Sequence, residues 1–190
     1  DLVVLNSGGY RDSIPAGTYS PQDPTLRRPN KNPQPPWDVV RGDIDAILPF
    51  LNFVVELQVD SEQIFAMLEN SVNTKRPEDS GAFLQISGFR FWYDSSKPDG
   101  SKVCKVELDD QTVLSRTDTR TLYKLATIDF LAQGGDGYEM LSRSQGFTRE
   151  QLADVVVKDL QRRGTIDPDD FYTPLRPRII DVAGVGCPRD

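Results

Sequence analysis

Residues of a type suited to chemistry fall into four short clusters along the chain. The first, Asn6-Ser7-Gly8-Gly9-Tyr10-Arg11, follows the strand-like run Leu2-Val3-Val4-Leu5. Glycines let the backbone turn tightly and bring N–H groups close to a ligand, and an Arg just beyond can fork onto phosphate or carboxylate oxygens. A Gly-Gly turn beside a surface Arg is the plainer reading of the same residues. The second, Leu48-Pro49-Phe50-Leu51-Asn52, sets Phe50 just past a helix-ending Pro, and alone it reads as a core Phe. In the third, Phe130-Leu131-Ala132-Gln133-Gly134-Gly135-Asp136-Gly137-Tyr138, an apolar strand ends in an aromatic and a Gly-rich loop presents one carboxylate. That is either a turn whose Asp136 bonds its own backbone, or an aromatic face for a planar ring with Asp136 accepting from sugar hydroxyls. The fourth, Gly81-Ala82-Phe83-Leu84-Gln85-Ile86-Ser87-Gly88, reads mainly as scaffold.

The composition removes most hydrolytic machinery. His is absent, so the chain holds no Ser-His-Asp triad, no Cys-His dyad and no His-ligated zinc or di-iron site. No catalytic residue and no metal ligand is assigned within it. A hydrolase built on Asp109 and Asp110 would need carboxylates facing each other across a cleft, whereas adjacent strand positions point to opposite faces. The net charge of −7, without a run of like charges, argues against nucleic acid or an anionic membrane as partner. No apolar stretch approaches the ~20 residues that span a bilayer, and no signal peptide is read at the start. Because the chain begins at Asp1, directly in a strand, it reads as a piece cut from a longer protein. Cys104 and Cys187 permit a single disulfide. Two free thiols, one buried in a strand and one in a tail, are the plainer reading, and a disulfide would imply an oxidising compartment.

The elements that must position these clusters follow from periodicity. Half of the fourteen prolines fall between Pro15 and Pro36, so residues 15–41 read as a Pro-rich surface insertion. A short helix is expected over 42–49, capped by Asp43 and ended by Pro49. Phe53, Val55, Leu57 and Val59 alternate as the buried face of a strand. Asp60 with Gln63 forms a capping box for a helix whose stripe is Ile64, Leu68 and Val72, with Phe65 beside it. Residues 83–93 predict one long strand bent at Gly88. Asp99-Gly100 predicts a hairpin turn into a strand over 102–108, and another strand fits 120–128. Thr148 with Gln151 reads as a second capping box, for a helix with Leu152, Val155, Val156 and Leu160, stopped near Gly164. The expectation is a single compact α+β domain over 1–182, with mixed, mostly hairpin-connected strands, two main helices and a tail over 183–190.

Taken together, the clusters resemble one family. N-x-G-G-x-R, then G-D-I before L-P-F-x-N, then G-x-F-L-Q-x-S-G, then F-L-A-x-G-G-D-G-Y is similar to the C-terminal domain of the 5′-nucleotidase / UDP-sugar hydrolase family, in the right order from about Val3 to Ile179. Arg176-Pro177-Arg178-Ile179 fits that family's last strand. The resemblance implies a two-domain phosphohydrolase that is extracellular, periplasmic or surface-anchored. Its upstream metallophosphoesterase domain, absent from this chain, would hold a pair of divalent metal ions. This domain would carry no cofactor of its own and would supply the nucleotide specificity pocket, so the chain alone is expected to be inactive.

By the same resemblance, Phe50 and Phe130 sandwich the nucleobase and Asp136 binds the ribose. Asn6, Gly8 and Arg11 form the turn beside the substrate, with Arg11 on the phosphate side, and Asn52 contacts the base. The sequence departs from the pattern at Ser7, at Gln133 and in the length of the Pro-rich insertion. The competing expectation is a non-catalytic binding or surface-interaction module that retains the fold.

Overall fold

The computed structural model describes residues 1–11, 39–73, 80–166 and 177–188. Within them the chain forms β1 (Leu2–Asn6), α1 (Arg41–Ile47), β2 (Phe53–Val59), α2 (Ser61–Ser71), β3 (Leu84–Ser87) and β4 (Phe89–Tyr93), then β5 (Val103–Leu108), β6 (Tyr123–Ile128), α3 (Asp129–Ala132), β7 (Gly146–Gln151), α4 (Leu152–Arg163) and β8 (Ile179–Asp181). One mixed sheet has the order β3-β1-β6-β2-β7 and a second has the order β5-β4-β8. The α+β class and the two main helices, α2 and α4, are as expected.

Local signals build their elements where neighbours in sequence are enough. The alternation over 53–59 makes β2, with Val55, Leu57 and Val59 buried, but Phe53, expected on the same face, is exposed where the strand begins. The capping box at α2 is complete: the Gln63 N–H donates to Asp60 Oδ1 at 2.8 Å and the Asp60 N–H to Gln63 Oε1 at 3.1 Å. The stripe of α2 buries Ile64, Phe65 and Leu68 completely or nearly so. It joins Leu2, Val4 and Leu57 of one sheet to Phe89, Phe91 and Val106 of the other in a single core cluster. A smaller cluster packs α1 on α4 through Ile44, Leu48 and Ala153.

Several expectations are corrected where distant segments intervene. The connectivity is not mostly hairpins. Among the described strands only β4 and β5 pair as sequence neighbours, while β1–β6 and β4–β8 are parallel. Residues 83–93 are not one bent strand: β3 pairs with β1, and β4 belongs to the other sheet. Gly88 makes the crossing, with φ +87° and a backbone pressed so close to Asp1 that an added Cβ would lie 2.2 Å from its carbonyl oxygen. Thr148 is not a helix cap. It sits in β7, opposite Val55 on the outer edge of β2, whose free backbone groups recruit residues 146–151 into the sheet. Asp43 lies three residues inside α1 rather than at its cap, where its carboxylate accepts the Val40 N–H at 2.9 Å. Arg41 already belongs to α1, so the insertion read over 15–41 ends before it. Residues 15–38 of that reading lie outside the described residues.

The two cysteines are not free thiols. Cys104 and Cys187 form a disulfide across 83 residues of sequence, with Cα atoms 6.1 Å apart. The parallel docking of β8 on β4, continued by the Val182 N–H to the Tyr93 carbonyl, carries the following segment to β5. The expected tail from 183 is therefore tied to the sheet through Cys187. Among the described residues, no helix is long and apolar enough to cross a membrane.

Candidate functional site

The turn after β1 is held by its own backbone. The Ser7 N–H donates to the Phe83 carbonyl at 2.7 Å and the Gly8 N–H to the Gly81 carbonyl at 2.8 Å. An added Cβ at Gly8 would lie 3.0 Å from Gly81 Cα, so two glycines are what let these backbones touch. Gly8 therefore commits its amide to the scaffold, contrary to the expectation that it would offer this N–H to a ligand. The Arg11 N–H then donates to the Ile47 carbonyl at 3.0 Å, which brings the turn against the end of α1 and the Pro49-Phe50 segment.

A hollow opens there, lined by Asn6, Gly9, Tyr10, Phe50 and Asn52 over a floor of Leu48, Ile128 and Leu152. Phe50 is not a core residue: it is 47% exposed. The Arg11 guanidinium carbon lies 5.7 Å from the centre of its ring, a cation–π distance. Asn52 is fixed by its carbonyl, which accepts the Leu152 N–H at 2.9 Å where α4 begins. Tyr10 lines the hollow while staying 42% exposed, and its partial burial raises the phenol pKa.

Phe130 falls on the one-turn helix α3 rather than at the end of a strand. It is 44% exposed, and its ring folds back over the following turn: an added Cβ at Gly135 would lie 2.5 Å from Phe130 Cε2 and Cζ. Only a residue without a side chain leaves that ring its place. Asp136, next in sequence, points towards the first turn of the chain, where its Oδ2 accepts from Asn6 Nδ2 at 2.8 Å. Asn6 is 5% exposed, and its buried Oδ1 has no hydrogen-bond donor among the described residues.

The fold thus links the expected site residues in sequence-distant pairs. Arg11 lies over Phe50, Asn6 and Phe50 line one hollow with Asn52, Asn6 bonds Asp136, and Phe130 covers the turn that carries Asp136. Gly8 stands behind them as scaffold. Sequence reasoning missed Tyr10 and the floor residues Leu48, Ile128 and Leu152, which come from separate elements and carry no local signal beyond being apolar. It also missed Asn70, whose side chain reaches the Asp136 backbone. Among the described residues no group of three or more His, Cys, Asp or Glu could hold a metal ion, and the chain has no His to complete one.

The sequence profile described as "5'-nucleotidase, C-terminal domain" matches residues 1–143. A 5′-nucleotidase of Vibrio parahaemolyticus is 30% identical over 173 residues, covering 90% of this chain and 25% of that protein. The snake venom 5′-nucleotidase of Crotalus adamanteus is 33% identical over 174 residues, covering 88% and 26%. In three dimensions the chain is similar to the crystal structure of a 5′-nucleotidase precursor from Thermus thermophilus, with a TM-score of 0.71 at 28% identity, covering 95% of this chain and 31% of that one. The chain spans about a quarter of the length of the curated relatives it matches.

Proposed function

Because this chain belongs to the 5′-nucleotidase C-terminal domain family, we propose that it is the nucleotide-recognition domain of a larger metal-dependent phosphohydrolase acting on nucleoside 5′-phosphates or related nucleotides. Phe50 and Phe130 stack on the base, Asp136 accepts from ribose hydroxyls, Asn6 and Asn52 meet polar edges of the nucleoside, and Arg11 reaches towards phosphate oxygens. The divalent metals and the hydrolytic step belong to an upstream metallophosphoesterase domain, a reading supported by the lack of His in this chain and of any group of three metal-ligating side chains among the described residues. A disulfide between the only two cysteines agrees with an extracellular or periplasmic location.

The observation that carries the reading is where two exposed phenylalanines sit: Phe50 lines the hollow under Arg11, and Phe130 covers the turn that carries Asp136. A large apolar ring held half in solvent beside buried polar groups is placed for a planar ligand. Each stacked ring is worth about 1–3 kcal/mol of base binding, or roughly a 5- to 150-fold change in Kd. Truncation of a buried Phe would instead cost roughly 3–5 kcal/mol of stability. Phe130→Ala, assayed in parallel for melting temperature and for adenosine or AMP binding by calorimetry on the polypeptide that includes the upstream domain, is expected to lose affinity with little loss of Tm. A large drop in Tm with unchanged affinity in the folded protein would refute the stacking role. Without the upstream domain, the chain supplied with Mn²⁺, Zn²⁺ or Co²⁺ is expected to leave AMP intact, since activating water for attack on phosphorus at neutral pH needs a held metal. Metal-dependent phosphate release that tracks the purified chain and survives controls for contaminating phosphatases would overturn this.

A further inference from the structure

Two side chains of α2 hold both ends of the segment that carries Asp136. Gln63 and Asn70 stand seven residues apart, close to two helical turns, and so project from the same side of the helix. Gln63 Nε2 donates to the Met140 carbonyl and to Ser144 Oγ, each at 3.0 Å. Asn70 Nδ2 donates to the Asp136 carbonyl at 3.1 Å. This last bond falls on an uncommon backbone. Asp136 has φ +53° and ψ +25°, in the left-handed region, between Gly134 and Gly137, which also have positive φ. A residue with a side chain stays in that region when its surroundings hold it there. The following Tyr138 is fully buried, its hydroxyl donating to the Ala82 carbonyl at 2.5 Å and its N–H to the Gly135 carbonyl at 3.1 Å, which anchors the far side of the turn. Asn70 grips the Asp136 peptide itself, at its carbonyl oxygen. The direction of the Asp136 carboxylate, which accepts from Asn6 at 2.8 Å, follows from that backbone.

We infer that Asn70 is a positioning residue for ligand recognition: by holding the Asp136 carbonyl it sets the left-handed turn that aims the Asp136 carboxylate at Asn6, a residue that lines the hollow. The inference rests on the proposed reading of Asp136 as the ribose-binding group. Asn70 bonds the Asp136 backbone and not its carboxylate, so it acts through the turn that carries that carboxylate. Being only partly buried, it can be replaced without opening a core cavity. Asn70→Ala removes the donor, and Asn70→Asp sets an acceptor against the carbonyl oxygen.

The test is calorimetric titration of the full chain with adenosine and with adenine, which offers the same base without the ribose. Wild type, Asp136→Ala, Asn70→Ala, Asn70→Asp and the Asp136→Ala/Asn70→Ala double variant are compared, with melting temperatures alongside. Asp136→Ala is expected to weaken adenosine and leave adenine within about twofold. Asn70→Ala is expected to weaken adenosine about fivefold, the effect of losing one ordinary hydrogen bond, and to spare adenine. Asn70→Asp goes further in the same direction, and if it fails to fold, Asn70→Ala carries the test. In the Asp136→Ala background, Asn70→Ala is expected to add less than about twofold, because its effect runs through the missing carboxylate. If Asp136→Ala leaves adenosine binding unchanged, the ribose reading fails and the inference falls with it. If Asp136→Ala costs affinity while the Asn70 variants do not, or weaken adenine as much as adenosine, the inference alone is overturned.

Discussion

At Arg11 the guanidinium is offered two partners at once, the Phe50 ring on which it lies and, in the proposed function, the oxygens of a phosphate. The planar fork can stack on an aromatic face and still direct paired N–H groups outwards, whereas an ammonium is a point charge that does one or the other. Arg11→Lys is therefore expected to weaken AMP binding by roughly tenfold while adenosine binding changes by no more than about twofold, measured by calorimetry on the two ligands side by side. Equal losses for both would assign the Arg11 side chain to holding the Phe50 ring, rather than to phosphate. Phe130 shows the same closeness of contact. Its ring keeps its place only because Gly135 has no side chain, and the next residue bears the carboxylate.

Among the elements, α2 joins the halves of the molecule. Its apolar stripe fills the space between the two sheets, and its polar residues fasten what surrounds it. Glu69, nearly buried, accepts the N–H groups of Lys102 and Val103 at 3.0 Å each and pairs with Arg116 at 2.8 Å, tying the helix to β5. Ser71 Oγ accepts the Leu84 N–H at 2.9 Å, tying it to β3. These contacts differ in what their loss leaves behind. Asp60→Ala removes a helix cap that water can replace, and is expected to cost about 1 kcal/mol. Glu69→Ala strands two buried N–H groups, while the half-exposed Arg116 keeps its bond to the Val103 carbonyl, and the change is expected to cost roughly 3 kcal/mol or more. Urea unfolding of the two variants measures the difference. A Glu69→Ala loss no larger than that of Asp60→Ala would mean that water reaches the β5 amides and that the tie is weak.

For the molecule as a whole, the disulfide is the one covalent link between its C-terminal segment and the smaller sheet. Closing a loop of 83 residues restricts the unfolded chain strongly, and loss of such a bond costs roughly 2–5 kcal/mol. Since the chain has no other cysteine, dithiothreitol acts on this bond alone. Thermal unfolding is expected to show a lower Tm with reductant than without it, and no further shift when Cys104→Ser/Cys187→Ser is treated the same way. An identical Tm for the oxidised and reduced wild type would mean that β8 stays docked by its hydrogen bonds to β4 unaided.

What the sequence determined by itself is whatever depends on near neighbours. The capping box of Asp60 and Gln63, the alternation of β2 and the stop of α4 at Gly164 are readable because helix caps and strand faces are settled within a few residues. The same holds for the chemistry on offer: Asn6, Arg11, Phe50, Phe130 and Asp136 announce themselves by type and by the order of their motifs. Tertiary structure decided the rest. Thr148 and Gln151 spell a capping box yet form a strand, because the open edge of β2 satisfies more backbone groups than a cap would. The run 83–93 looks like one strand and is two, because the backbone at Asp1 presses on Gly88. Cys104 and Cys187 look like separate thiols until β8 docks on β4. Asn6 and Asp136 stand 130 positions apart, and their hydrogen bond exists only because β1 and β6 lie side by side in one sheet and deliver both turns to the same end. Contacts of that kind close long loops, and no local pattern of residues encodes which loops will close.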